Sequence, residues 1–170
     1  MKTFLTALFF TLTVITSFAQ VKPETSDHLT FKGIPIDGPL NEYISKMKNG
    51  GFTHIVTESG VAMLKGDFAA YKNCFVGVST LKQKDLVSKI TVIFPEQDTW
   101  SSLSSNYFSL KELLTEKYGE PSESLEEFQS SLKQIDDNQK MYEVIFDRCK
   151  YYTTYKTDKG SIQLIIDHDG

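Results

Sequence analysis

The sequence predicts an α+β domain: an antiparallel sheet of about six strands, in the order helix, four strands, helix, two strands, with the helices packed on one face. Three observations lead there. Leu40 to Met47 repeats apolar residues at helical spacing between a proline and a glycine pair. Stretches such as Cys74 to Val78 and Ile90 to Phe94 alternate at strand spacing. The links between consecutive strands are too short for parallel crossovers.

The first helix is the best-punctuated element. Pro35 and Pro39 fix φ and lack a backbone donor, which breaks a strand running through Phe31 and favours a turn into a helix. Asp37 or Gly38 serves as N-cap, and Pro39 suits the first turn, where its missing N–H has no intrahelical partner. Leu40, Tyr43, Ile44 and Met47 share one face, and Gly50 and Gly51 supply a left-handed cap, so the helix spans about residues 39 to 49.

Phe52 to Thr57 alternates and is rich in β-branched residues; Glu58-Ser-Gly60 turns the chain, and Val61 to Tyr71 returns as the second arm of a hairpin. Gly66 interrupts that arm, the mark of a bulge or of a close approach by another backbone, with approach of a ligand the lesser alternative. Tyr71-Lys-Asn73 makes the next turn, Cys74 to Thr80 a third strand and Leu86 to Phe94 a fourth. Ile90, Val92 and Phe94 share one face of the fourth strand, with Lys89, Thr91 and Ile93 on the other. Such a meander has one covered face and one mostly wet face.

Pro95 closes that segment, and Asp98 or Thr99 caps a second helix with Trp100, Leu103, Tyr107, Leu110, Leu114 and Tyr118 on its seam. Gly119 and Pro121 stop it. Phe108 lies off the seam and reads as a flank packed by the following segment or as an exposed anchor. Glu120 to Gln139 is polar, acidic and serine-rich and reads as a surface loop with at most a helical turn, held by Leu125, Phe128, Leu132 and Ile135. Residues 138 to 148 fit a short helix or a strand. Cys149 to Lys156, a turn at Thr157-Asp-Lys-Gly160, and a closing strand with Ile162, Leu164 and Ile166 inward complete the order.

Lys2, the apolar run Phe4 to Ile15 and the small residues of Ser17-Phe-Ala19 compose a secretory signal peptide over residues 1 to 19, cleaved between Ala19 and Gln20. The run is shorter than the roughly 20 apolar residues of a bilayer span, and no later run is long enough, so no membrane span is expected in the mature chain. Residues 20 to 30 read as a mobile lead-in and 31 to 170 as one domain around one core. The expected destination is the periplasm or the extracellular space. A formal net charge of −4, without a Lys/Arg cluster on one face, argues against nucleic acid as a partner.

Cys74 alternates in phase with Val76 and Val78, and Cys149 with Tyr151 and Tyr155. In an oxidising compartment a structural disulfide between the two is the first expectation; two buried free thiols or a reactive pair are the alternatives.

Phe31-Lys-Gly-Ile-Pro-Ile-Asp-Gly38, Gly51-Phe52, Leu64-Lys-Gly-Asp-Phe-Ala-Ala-Tyr71 and Tyr118-Gly-Glu-Pro121, in that order, resemble the uncharacterised exported proteins common in gut Bacteroidota. The resemblance spans nearly all of the mature chain and carries no assigned activity. Chains of that kind often continue past the equivalent of Asp169-Gly170, which implies a final strand cut short here. In element order alone the chain is also similar to the helix-plus-antiparallel-sheet domains of the β-lactamase inhibitor protein type.

No zinc signature, nucleophile elbow or glycine-rich phosphate loop occurs in the sequence, and no cofactor, metal site or catalytic residue is expected. Asp167-His-Asp169 is the densest set of ligand-type residues and reads as a frayed terminus. His54 shares a strand face with Val56, ahead of Glu58 and Ser59, and reads as a surface or half-buried histidine. The strongest binding signal is aromatic: Tyr152, with Lys150, Thr154 and Lys156, points away from the core if Cys149, Tyr151 and Tyr155 point into it.

These features favour a non-catalytic extracytoplasmic binding domain that meets a protein or envelope component through an open sheet face or its edge. The alternatives are a small exported hydrolase with dispersed carboxylates and an envelope structural or assembly protein.

Overall fold

The computed structural model describes residues 27–81, 83–129 and 135–168. The expected signal peptide, its Ala19/Gln20 cleavage site, residues 20–26 of the lead-in, Leu132 and Asp169-Gly170 lie outside the described residues.

The chain enters through a short hairpin, β1 (Thr30–Phe31) and β2 (Ile34–Pro35), so regular structure begins inside the expected lead-in. Then comes α1 (Leu40–Asn49). Its N-cap is Pro39, not Asp37 or Gly38, and Pro39 provides no side-chain cap. The Asp37 carboxylate instead accepts the Gly38 N–H at 2.7 Å. Asp85, far along the chain, accepts the orphan Leu40 N–H at 3.0 Å, and Val87 N–H donates to the Gly38 carbonyl at 2.9 Å. The helix start is thus tied to the link between two later strands.

Those strands belong to an antiparallel sheet in the order β3 (Thr53–Glu58), β4 (Val61–Phe68), β5 (Tyr71–Thr80), β6 (Val87–Ile93). Ser59 and Gly60 both take positive φ, 48° and 78°, in the tight turn joining β3 to β4. On one face of the sheet Ala62 pairs with Val78 and Leu64 with Val76, and all four are fully buried with Leu40, Tyr43, Ile44 and Met47 of α1. Each large aliphatic buried there contributes roughly 1.5–3 kcal/mol over exposure.

Gly66 does mark a bulge, but what approaches it is an aromatic ring: a Cβ at Gly66 would lie 2.4 Å from Cδ1 of Phe52. The β4–β5 turn falls at residues 69 and 70, ahead of the expected Tyr71-Lys-Asn73.

The second half of the chain runs α2 (Trp100–Tyr118), β7 (Glu123–Phe128), α3 (Asp137–Ile145), β8 (Cys149–Thr157) and β9 (Gly160–Ile165). Thr99 caps α2 by accepting the Ser102 N–H at 3.2 Å, and a reciprocal Asp136–Gln139 box caps α3. The open choice over residues 138 to 148 resolves to helix as far as Ile145. The expected loop at 120–139 holds a strand, β7, paired antiparallel with β8.

The α+β class and the antiparallel pairing stand. The single sheet of about six strands becomes sheets of two, four and three strands, the last in the order β7-β8-β9. The apolar side chains likewise gather in two clusters. One surrounds α1 and the four-stranded sheet; the other holds Trp100, Tyr107, Val144, Cys149 and Ile166.

Candidate functional site

β8 alternates as its sequence indicates. Cys149, Thr153 and Tyr155 are buried, whereas Lys150, Tyr152 and Thr154 are half-buried and Lys156 is exposed on the opposite face. Register adds the neighbours that a single strand cannot reveal: Leu125 and Ile165 flank Tyr152, and Glu123 and Gln163 flank Thr154. The Tyr152 hydroxyl donates to Glu123 Oε1 at 2.8 Å. That carboxylate holds the phenol proton on and raises its pKa above the ordinary tyrosine range. Tyr152 is therefore anchored to β7. A cavity of about 60 Å³ beside it, bordered by Lys150, Ile165 and Asp167, holds little more than a water molecule or two.

A larger uncovered surface lies on the four-stranded sheet, opposite α1. Three rows cross it in register: Thr53, Lys65, Phe75 and Ile93; Val56, Met63, Gly77 and Thr91; Glu58, Val61, Ser79 and Lys89. Val56, Val61, Phe75 and Ile93 are 43%, 40%, 41% and 39% exposed. The Lys65 ammonium sits over the Phe75 ring, 5.3 Å from its centroid. The sequence carries a signal for this face. Val61-Ala-Met-Leu64 and Cys74-Phe-Val-Gly-Val78 are continuous apolar runs, the pattern of strands apolar on both sides, and α1 covers only one side.

The bulge at Ile55 also separates His54 from Val56. His54 pairs with Leu64 and Val56 with Met63, so they lie on opposite faces, contrary to the shared face expected. His54 Nε2 is 2.8 Å from Thr57 Oγ1.

Ionisable groups converge between α2 and the three-stranded sheet. Lys111 donates to Glu126 and, at 3.1 Å, to Ser124 Oγ; Ser124 Oγ is 3.1 Å from Thr153 Oγ1, which is 2.6 Å from Tyr107 Oη. Burial, with Glu126 nearby, pushes Tyr107 up to about 12. An ammonium held by a carboxylate has no lone pair with which to activate a serine, so this arrangement acts as a clamp between helix and sheet. His168 Nε2 lies 3.2 Å from Asp147, and among the described residues no group of three or more His, Cys, Asp or Glu could hold a metal ion.

The expected Cys74–Cys149 disulfide is not formed. Cys74 is in β5 and Cys149 in β8, in different sheets, and both are free and buried. Burial raises both thiols, Cys149 to about 12, which suppresses the reactive thiolate. Phe108 is 45% exposed, with an edge contact to Tyr107 at a 5.3 Å centroid distance. No described helix is long and apolar enough to cross a membrane.

No family model, curated protein or solved structure matches the chain.

Proposed function

We propose that this chain is a non-catalytic binding module of the extracytoplasmic space, and that the open face of its four-stranded sheet receives a protein partner. The observation that carries this reading is the in-register patch of Val56, Val61, Met63, Phe75 and Ile93, left uncovered on the side away from α1. An apolar centre with charged residues at its margin is the layout of a protein contact surface. Lys65 and Lys89 outnumber Glu58 on this face although the chain is net acidic, which favours a partner patch that is apolar with an acidic rim. Export rests on Lys2, the Phe4 to Ile15 run and Ser17-Phe-Ala19. The Tyr152 face is the smaller candidate, because Tyr152 is already bonded to Glu123.

The test places a photocrosslinking residue at Phe75 in the producing cell. The expected result is one crosslinked protein, lost when Val61→Asp puts a charge in the patch and retained in Tyr152→Ala. Crosslinking that survives Val61→Asp, or that disappears only in Tyr152→Ala, overturns the choice of face.

A further inference from the structure

Beside β3, at one end of the four-stranded sheet, lies a cleft of about 570 Å³, within the size range of small-molecule sites. Its walls come from segments distant in sequence: Lys32 from the β1–β2 turn, Gly50 and Gly51 from the end of α1, Thr53 and Ile55 from β3, and Lys65 to Asp67 with Asn73 from the β4–β5 hairpin.

Two cations border this cleft. Among the described residues Lys65 has no ion pair and lies over the Phe75 ring, and Lys32 Nζ, 5.1 Å from the Phe52 ring centroid, donates only to the Asp67 backbone carbonyl, at 3.2 Å. The one carboxylate in the wall is already engaged: Asp67 Oδ2 is 2.7 Å from Lys72, and Oδ1 accepts the Asn73 N–H at 3.1 Å. Lys72 and the Asn73 N–H hold Asp67 below the usual carboxylate range, so it stays charged and occupied. The Thr53 hydroxyl and the Asn73 side-chain amide have no hydrogen-bond partner among the described residues and remain available. Lys32 and Asn73 also hold left-handed backbone, φ 48° and 58°.

We propose that this cleft binds a small organic carboxylate, with Lys32 and Lys65 meeting the anion, Thr53 and Asn73 meeting further polar groups, and Ile55 supplying the apolar wall. The backbone chemistry separates a carboxylate from a phosphate. The Gly50 and Gly51 N–H groups donate to Lys46 and Lys48 carbonyls at 3.0 Å each, and the Asn73 N–H is spent on Asp67, so these three donors are not free for a phosphate cradle. The negative pole of α1 also ends at this wall, which disfavours a dianion more than a monoanion. The carboxylate could belong to a peptide terminus or to a uronic acid. Thr53 and Lys65 also stand in the end row of the sheet's open face, so the cleft adjoins the proposed docking face; the titration uses the purified chain alone, and its outcome does not depend on the docking reading.

Backbone-amide NMR titration of the purified chain tests this, with N-acetyl-alanyl-alanine and glucuronic acid as probes, each beside its uncharged amide, and with inorganic phosphate. The expected result is shifts at Gly51, Thr53, Gly66 and Asn73 with at least one carboxylate and not with its amide. Response to the dipeptide alone assigns a peptide source, to glucuronic acid alone a saccharide source, and to both the general carboxylate class. Lys32→Gln and Lys65→Gln should each weaken binding about tenfold, the equivalent of one charge-assisted hydrogen bond, with the rest of the spectrum unchanged. No response up to about 10 mM probe, equal response to the amides, tighter binding of phosphate, or unchanged affinity in both variants overturns the proposal.

Discussion

In the first half of the molecule, α1 meets its sheet through Met47, Ile44, Leu64, Val76 and Val78; in the second, α2 meets its sheet partly through oxygen and nitrogen, in the chain Lys111, Glu126, Ser124, Thr153 and Tyr107. Two buried tyrosines sharpen the contrast. Burial pushes both Tyr43 and Tyr107 up to about 12, yet Tyr107 Oη has Thr153 at 2.6 Å whereas Tyr43 Oη has no hydrogen-bond partner among the described residues. The dry interface depends on volume and the wet one on direction, so the two should fail to different substitutions.

The largest effect is expected in the dry half. Leu64→Ala opens a cavity beneath α1 and should cost roughly 2–5 kcal/mol, read from urea unfolding by circular dichroism. The protein's one tryptophan, Trp100, lies in the other cluster, so its fluorescence midpoint should move less than the circular-dichroism midpoint. Coincident shifts would mean that the halves unfold as one unit and would erase the comparison. Gly66→Ala tests the same core by overfilling: its new methyl meets the Phe52 ring, and a loss of about 1–3 kcal/mol or more is expected in the same melt. A neutral result would show that Phe52 is free to move aside.

The wet half should respond to lost oxygens at constant shape. Thr153→Val removes the close partner of Tyr107 and Ser124 and should cost about 1–3 kcal/mol in a Trp100-monitored melt. A smaller, opposite pair follows. Tyr107→Phe should destabilise by about 1 kcal/mol, whereas Tyr43→Phe discards an unpaired hydroxyl and should be neutral or slightly stabilising. Equal losses from the two would remove the distinction between the interfaces.

The pH effect is absent near neutrality and grows in alkali. Cys149, Tyr43 and Tyr107 each have a folded-state pKa raised by burial, so folding favours the protonated form. Their contributions are complete below the unfolded-state values, about 9 for the thiol and about 10 for the phenols, and are lost as pH climbs toward about 12. Melting temperature should therefore fall above about pH 9, and Cys149→Ala should make that fall shallower without moving its onset, because Cys74 is raised by burial from the same starting value. An unchanged slope in that variant would mean that the Cys149 thiol contributes nothing.

The same contrast explains which elements were legible. α1 and the α2 seam carry their own apolar period, and Thr99 and Gly119 bracket α2 locally. β7 does not: Ser124 and Glu126, exposed residues on its helix-facing side, read as loop residues until Thr153, Tyr107 and Lys111 supply partners. Of the two candidate faces, the β8 face follows from alternation along one strand. The larger apolar face emerges only when four strands align, although the continuous apolar runs of β4 and β5 already pointed to it.

By itself the sequence determined what depends on neighbours within a turn of helix or along a single strand: the α+β class, the α1 and α2 faces, and the inward phase of Cys74 and Cys149. Tertiary structure alone decided the division into three sheets, Asp85 at the head of α1, Phe52 against Gly66, the separation of the two thiols, and the assembly of the cleft. Each of these joins residues far apart in the chain, and local periodicity carries no information about which distant strand, ring or carboxylate completes a contact.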